Sequence, residues 1–372
     1  MKTSMCESAS EPHVAEYFSK AERQFESLIQ IDELDRVAEL RRPIIRDFER
    51  VLNFALDSAY SCTLSADRIH LFLQRVLYGI NRLKLFWYDD LGSYKNERSD
   101  YLRSIRNRIE VVWERWELSQ LESPSRDIDV VAALRNRAAA DVAPPVSVDG
   151  KYFRDEVGVA GYRKLLEIAS LDGLVEASQL SRTLGGVGNE IHSMMTRLLV
   201  EEYGGGRLSR KHSSYFTVML EELGMNARPE AYFEVVPWQV LAAINHSFLL
   251  SERKRSYLRY VGGLLYTEIS VPAAFDNYRL AAERLGMSAQ ARGYWELHIR
   301  EDERHGRWML NDVALPLAAQ YRDHAHEIVL GYDQQKFMSE RAGTAVTSAV
   351  KSADNDQLVL PVHARTAIGV AA

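Results

Sequence analysis

Apolar residues follow a helical period through almost the whole chain, and this pattern restricts the possible fold classes. Over residues 65–86 they recur every three or four positions for about six turns, at Ile69, Phe72, Leu73, Val76, Leu77, Ile80, Leu83 and Phe86. Residues 102–116 repeat the spacing, and the segments 14–29 and 34–59 follow it too, the second interrupted at Pro43. The alternation typical of β-strands is almost absent. The sequence therefore predicts an all-α fold.

The chain divides into regions at a change of composition. Between residues 123 and 150 it is small and polar, and Pro144-Pro145 prevents a helix from continuing. We predict an N-terminal helical region over 1–135, a second domain over 150–335 and a mobile tail over 342–372, which is rich in Ala, Thr, Ser and Val. The helices of the second domain are predicted near residues 152–170, 174–184, 188–203, 209–224, 237–250, 253–270, 272–285, 288–308 and 311–331.

Composition and charge exclude several functional classes. The 372-residue chain has a net charge of −6 and no basic stripe, so nucleic acid is not an expected partner. Cys6 and Cys62 are too few for a disulfide framework or a cysteine metal cluster. No apolar run approaches the ~20 residues that span a bilayer, and residues 1–12 lack the apolar core of a signal peptide. We therefore expect no membrane partner and a cytoplasmic location.

The clearest chemical signal is a group of two histidines and a carboxylate near residue 300. His298, Asp302 and His305 stand at positions i, i+4 and i+7, which on a helix fall within a ~60° arc. Imidazole and carboxylate donors suit non-haem iron or manganese, whereas a structural zinc site usually includes thiolate. The alternative interpretation is a solvated charged helix, because charged residues surround the three: Arg300, Glu301, Glu303 and Arg304.

Other segments offer further donors of the same kind. Glu202 ends an apolar helical run and precedes the glycine triplet 204–206, where a helix is costly to continue. His212 then begins the next predicted helix. Glu268 lies in a segment whose apolar spacing indicates a buried face, where a carboxylate is costly unless it is paired or bound to a cation. The alternative for Glu268 is a surface position at the edge of the core.

Taken together, these residues resemble the haem-oxygenase-like diiron oxidases and oxygenases. The resemblance covers roughly residues 150–335 and includes the framing sequences Glu-Glu-Tyr-Gly-Gly-Gly at 201–206 and Glu-Glu-Leu-Gly-Met at 221–225. It is greatest to the N-oxygenating branch, which forms nitro groups in bacterial natural products. That branch has an additional carboxylate ligand, for which this sequence offers Glu176 by spacing, with Glu167 and Glu190 as alternatives. The implied structure is a haem-oxygenase-like helical bundle, and the implied metal ligands are Glu176, Glu202, His212, Glu268, His298, Asp302 and His305.

The resemblance also implies a cofactor and a reaction. Two Fe(II) ions would react with O2 to give a peroxo-diiron(III) intermediate, which oxidises a nitrogen of a small metabolite to the hydroxylamine or nitro level in natural-product or antibiotic biosynthesis. Relatives act on arginine-derived guanidines, lysine-like amines or 2-aminoimidazole, so we expect a substrate of that kind and an external electron donor. The N-terminal region is expected to contribute to a homodimer interface. Its aromatic cluster Phe86-Trp87-Tyr88 fits this use, and ordinary core packing is the alternative.

Other interpretations stay open. Related enzymes use similar ligands to cleave carbon–carbon bonds of fatty or amino acids, and some members of the fold are metal-free. A purely helical interaction protein would leave the clustered donors unexplained. Asp323-x2-His326, taken with the motif at 302–305, imitates the paired ligands of ferritin-like bundles, but Pro316 and the short intervening stretch disfavour that arrangement. His192 and His246 lie on apolar faces typical of core histidines.

Overall fold

The computed structural model describes residues 11–60, 66–86, 91–186 and 188–359. Every regular element within these ranges is helical, which confirms the predicted all-α fold. No helix in the described part of the chain combines the length and the apolar character needed to cross a membrane. Several positions on which predictions were made lie outside the described residues: Cys6, Cys62, Trp87, Tyr88 and 360–372.

Two compact units divide the chain. The first contains the described residues up to Glu122 together with Val240–Leu249, and the second contains Ser123–Gln239 and the described residues from Leu250 onward. The N-terminal helices are α1 (Glu11–Ile29), α2 (Leu34–Glu39), α3 (Pro43–Ser58), α4 (Ala66–Asn81) and α5 (Asp100–Ser119). The later helices are α6 (Val130–Asp141), α7 (Val148–Asp155), α8 (Val159–Gly173), α9 (Glu190–Glu202), α10 (His212–Glu222), α11 (Trp238–Glu252), α12 (Tyr257–Arg284), α13 (Ala289–Trp308), α14 (Leu315–Gln320) and α15 (His326–Val359).

Aromatic residues fill the core of the first unit. Phe18 and Phe25 of α1 meet Phe48 of α3 and Phe72 of α4, in ring pairs whose centroids are 5.1 to 6.2 Å apart. All four side chains are buried. The interruption predicted within 34–59 falls between α2 and α3, where Arg41 has a positive φ of 46° and Pro43 is the first residue of the next helix.

The centre of the second unit is α12, which packs against α13 and α15. Glycines allow the closest approach: a Cβ at Gly262 would lie 1.9 Å from the carbonyl oxygen of Ile328, and one at Gly331 would lie 2.0 Å from that of Arg259. A side chain at either position would therefore separate α12 from α15. A π-helical turn, Met309–Ala314, joins α13 to α14.

The polar segment after residue 123 is helical where a boundary was predicted. Helix α6 forms within this segment. One of its faces is apolar, with Leu134 fully buried, and its Arg137 bonds Asp333 of α15 at 2.6 Å. Residues 123–141 thus belong to the second unit, and the division falls before residue 123 rather than after 135.

The prediction of a mobile tail from residue 342 is wrong for residues 342–359, which form the last part of α15. Val350 is fully buried there. The carboxylate of Asp354 accepts hydrogen bonds from Tyr152 Oη at 2.7 Å, Gly158 N at 2.9 Å and Gly161 N at 2.6 Å. These contacts bond the start of α8 to the end of α15, an interaction between distant segments that composition does not reveal.

Two other helix predictions also differ from the structure. Residues 253–270 and 272–285 lie largely within one helix, α12, which continues through Pro272 because its packing outweighs the lost hydrogen bond. Most of the predicted helix 174–184 is irregular, with a short 3-10 turn at Gln179–Thr183. Ala177 has a positive φ of 60°, which is incompatible with a right-handed helix.

Candidate metal centre

The candidate ligands lie on four helices and one turn of the second unit. Glu176 follows α8 on the irregular segment, Glu202 is the last residue of α9 and His212 is the first residue of α10. The remaining candidates lie further along the chain: Glu268 on α12, and His298, Asp302 and His305 on α13.

A tight loop brings the end of α9 close to the start of α10. Gly204, Gly205 and Gly206 all have positive φ angles, of 61°, 63° and 79°. A Cβ at Gly204 would lie 2.4 Å from the backbone carbon of Arg210, so only glycine fits at this position. The glycine triplet therefore ends α9 after Glu202 and reverses the chain direction, so that His212 lies beside Glu202.

Helices α12 and α13 approach each other at the level of the ligands. A Cβ at Gly306 would lie 3.1 Å from the carbonyl oxygen of Glu268. Pro272, four residues after Glu268, has no N–H to bond that carbonyl in the usual helical pattern. The small residue beside His305 thus permits close contact between two backbone segments that carry ligands.

Four donors form a first cluster. One ligand atom from each of Glu176, Glu202, His212 and His298 lies within 4.8 Å of every other. His212 Nδ1 is 2.9 Å from Glu202 Oε2 and 3.3 Å from His298 Nε2, which in turn is 3.5 Å from Glu176 Oε2. Helix α13 orients the ring of His298 through a 2.9 Å contact between its Nδ1 and the carbonyl oxygen of Tyr294. The four donors therefore lie close enough together to bind one metal ion.

A second cluster shares one carboxylate with the first. Its members Glu202, Glu268 and His305 also place one ligand atom each within 4.8 Å of the others. His305 Nδ1 lies 3.3 Å from Glu268 Oε2, 3.5 Å from Glu202 Oε1 and 3.6 Å from Asp302 Oδ1. Glu202 presents Oε2 to the first cluster and Oε1 to the second. Glu202 is therefore the one residue common to the two clusters.

The three candidates for the additional carboxylate lie in different surroundings. Glu176 belongs to the first cluster and accepts a 2.7 Å hydrogen bond from Tyr294 Oη. Glu167 bonds Lys164, and Glu190 is exposed in the first turn of α9. Among the described residues neither joins a cluster, nor do Asp323 and His326 of the ferritin-like alternative.

The charges of the two clusters are strongly coupled. Burial opposes charge on His298 and His305, but their carboxylate neighbours outweigh it and raise the pKa of His298 to about 10 and that of His305 to about 9. Burial also opposes the charge of Glu202, yet the hydrogen bond from His212 and the nearby imidazolium charges hold its pKa below the ordinary value. Burial and the charges of Glu268 and Glu202 raise the pKa of Asp302 well above its usual range. The carboxylates of the clusters thus favour positive charge at the positions of His298 and His305.

The donor set fits iron. His305 Nδ1 and Glu176 Oε1 are buried atoms without a hydrogen-bond partner in the structure, and Glu268 Oε2 and Glu202 Oε1 lie 3.3 and 3.5 Å from His305 Nδ1. Buried polar atoms are rarely left in this state unless a ligand or ion completes them. Imidazole and carboxylate without thiolate are the donors expected for a redox-active non-haem metal.

One residue that contacts ligands of the first cluster, Tyr294, was not predicted from the sequence. Tyr294 lies one helical turn before His298 and bonds Glu176, a contact that requires two distant segments to meet. An aromatic residue four positions before a candidate ligand is a weak signal, and ordinary core packing would have explained it equally well.

Comparisons with known proteins agree with this donor set. Residues 163–334 match the sequence profile of the family described as iron-containing redox enzyme, of the haem-oxygenase-like type. The chain is also 30% identical over 171 residues to nitrosourea synthase from Streptomyces achromogenes subsp. streptozoticus. That alignment covers 45% of this chain and 36% of the relative, so the chain spans about a third of the relative's length. Over residues 163–334 the chain is thus similar to haem-oxygenase-like, iron-containing redox enzymes.

Proposed function

We propose that this domain is a diiron oxygenase that uses O2 to oxidise a nitrogen atom of a small metabolite. The observation that carries the proposal is the position of Glu202, whose two oxygens face two separate groups of imidazole and carboxylate donors. With a single metal ion, one of these two groups of donors would have no metal to bind, and its buried atom would stay without a partner.

The residues of each cluster would hold one iron ion. Glu176, His212 and His298 would bind the first, and Glu268, Asp302 and His305 the second, with Glu202 between them. The carboxylates of Glu176, Glu202, Glu268 and Asp302 would balance the charge of two Fe(II) ions, so that the buried site carries little net charge. When bound, the iron pair would supply the electrons that activate O2.

The protein itself orients the donors and excludes water. His298, Asp302, His305, Glu202 and Glu268 are all less than 9% exposed. Tyr294 holds Glu176 through its hydroxyl and His298 through its backbone carbonyl, so one residue positions two ligands of the first cluster. A substrate and O2 entering this site would therefore meet fixed donors rather than bulk solvent.

Oxidation of nitrogen is supported by the relative named nitrosourea synthase, which aligns with this chain over 171 residues. The balanced first step joins a primary amine, O2, two electrons and two protons to give a hydroxylamine and water. We propose that an external donor supplies the two electrons, and that further cycles can reach the nitro level. An arginine-derived guanidine, a lysine-like amine or a 2-aminoimidazole is the proposed substrate. The homodimer stays a prediction.

An anaerobic Fe(II) titration followed by exposure to O2 tests the proposal. We expect two irons per chain, a transient visible absorption band after mixing with O2, and faster decay of that band with a suitable amine. Mass spectrometry with ¹⁸O2 should then find labelled oxygen on the substrate nitrogen. A protein that binds no iron, or that consumes O2 only to cleave carbon–carbon bonds, would contradict the proposal.

A further inference from the structure

Two consecutive glutamates of α9 contact opposite edges of one imidazole ring. Glu202 Oε1 lies 3.5 Å from His305 Nδ1, and Glu201 Oε2 lies 3.1 Å from His305 Nε2. His305 is fully buried, so water does not compete for either nitrogen. The ring is thus held between a carboxylate of the metal clusters and a carboxylate outside them.

Arginines fix the outer carboxylate. Arg304 Nη2 donates to Glu201 Oε2 at 2.5 Å and also bonds Glu301, while Arg197 Nε donates to Glu201 Oε1 at 3.3 Å. The guanidinium carbons of Arg197 and Arg304 lie 4.0 and 4.9 Å from the centre of the Trp308 ring. Glu201 is therefore held in one position by charge, and both arginines are held by the same aromatic ring.

Glu201 and Glu301 also lie close enough to His305 to form a third group of potential ligands. Arg304 pairs with both carboxylates, so its positive charge already balances part of their negative charge. The outer carboxylates are therefore paired with Arg304, a cation that is not itself a candidate metal ligand.

We propose that Glu201 is a positioning residue that accepts a hydrogen bond from Nε2–H of His305 and so reserves Nδ1 for the metal of the second cluster. A neutral imidazole carries one N–H, and a fixed carboxylate at Nε2 selects the tautomer with that nitrogen protonated. The lone pair of Nδ1 then faces Glu268 and Glu202. The inference deepens the proposed function, since it depends on metal binding at the second cluster.

The experiment uses Zn(II), which is diamagnetic and needs no oxygen chemistry. Protein labelled with ¹⁵N-histidine and loaded with Zn(II) is compared by NMR in the wild type, Glu201→Gln, Glu201→Leu and Glu303→Gln. Glu303 lies on α13, is exposed and pairs with Arg307 at 3.0 Å. E303Q is therefore the control, because it also removes one arginine-paired carboxylate, but one that does not contact His305. In the wild type and E303Q we expect metal on Nδ1 of His305 and a proton on Nε2.

The Glu201 variants should weaken Zn(II) binding at the second cluster and leave the first unchanged. Loss of such an outer contact typically weakens binding by about 10- to 100-fold. We expect E201L near the upper end and E201Q near the lower end, because the glutamine oxygen can still accept from Nε2–H. In E201L the ¹⁵N shifts of His305 should also change, which a merely structural role would not require.

Three results would overturn the inference: metal on Nε2 of His305 in the wild type, equal loss of affinity at both clusters in E201Q, or a third Zn(II) bound through Glu201 and Glu301. The outcome is separable from that of the proposed function. A protein that binds Zn(II) through His305 Nδ1 but oxidises no amine would refute N-oxygenation and leave the role of Glu201 standing.

Discussion

The two clusters share Glu202 but differ in how they are assembled. The first draws Glu176, His212 and His298 from three separate segments, and all its ligand atoms already lie within 4.8 Å of one another. The second contains Glu268 and His305 within that limit, while Asp302 lies beside them with its Oδ1 3.6 Å from His305 Nδ1. All four donors of the first cluster thus lie close to one another, whereas Asp302 lies outside the compact group formed by Glu202, Glu268 and His305.

The difference has a consequence for affinity. Burial and neighbouring charges raise the pKa of Asp302, so a metal that binds this carboxylate must displace a proton from it. The pKa of Glu202, a carboxylate of the first cluster, is instead held below its ordinary value. We therefore expect the first cluster to bind its ion more tightly than the second, although both use the same kinds of donor.

The largest expected effect is that of replacing the shared carboxylate. Glu202→Ala should abolish binding at both clusters, because each loses a buried donor, and iron per chain should fall from two to near zero in anaerobic titrations. Glu190→Ala, an exposed position in the first turn of the same helix, is the control and should retain both ions. Retention of two ions in E202A would show that the clusters are independent.

Removal of a histidine from one cluster should separate the two sites. His305→Ala should retain one tightly bound iron at the first cluster, because that cluster does not include His305. His298→Ala should lose the tight ion and leave only weak binding. Metal analysis after gel filtration measures both results. Equal losses in the two variants would contradict the comparison.

Gly306→Ala tests the close approach of α12 and α13. The added Cβ would lie 3.1 Å from the carbonyl oxygen of Glu268, so the two helices must separate slightly at the second cluster. We expect roughly tenfold weaker binding of the second ion and little change at the first, on the scale of other disturbed ligand supports. Gly293→Ala on the same helix meets only the Tyr215 ring, at 3.2 Å, and should bind both ions normally.

Tyr294→Phe should have a smaller effect, confined to the first cluster. It removes the 2.7 Å hydrogen bond to Glu176 and keeps the ring packing. A lost hydrogen bond of this kind costs about 1 kcal/mol, which corresponds to roughly fivefold weaker binding. Competition titrations with a chelator can resolve this change. A weaker second ion with an unchanged first would contradict the assignment.

The stability of the metal-free protein should also depend on pH in two steps. The folded pKa values of His305 and His298, about 9 and about 10, lie above the ordinary value of 6.5. Their contribution to stability is therefore fully present below pH 6.5 and is lost as pH rises through 9 and then 10. Thermal unfolding from pH 6 to 10.5 should show the first loss in wild type but not in His305→Ala.

Local periodicity was sufficient to predict most of the helical structure and the face of α13. His298, Asp302 and His305 point the same way because their spacing matches the helical repeat, a property that any reader of the sequence can test. Helix α12 shows the limit of this reasoning. Pro272 indicates a helix end on local grounds, but packing against α13 and α15 carries the helix through it.

Contacts between distant segments account for the features that the sequence did not predict. The end of α15 is ordered by the bonds of Asp354 to residues nearly two hundred positions earlier. In the sequence Glu201 is only part of a framing motif. Its contacts cannot be predicted locally, because its partners Arg304 and His305 lie about a hundred residues away. A single sequence contains both residues of each pair, but no local rule connects them.

Anomalous diffraction at the iron edge, from crystals grown anaerobically with Fe(II), is the most direct test of the account. It should reveal two iron peaks, one on each side of the Glu202 carboxylate, with the stronger peak beside His212 and His298. A single peak, or two peaks that do not share Glu202, would contradict a diiron site in this domain.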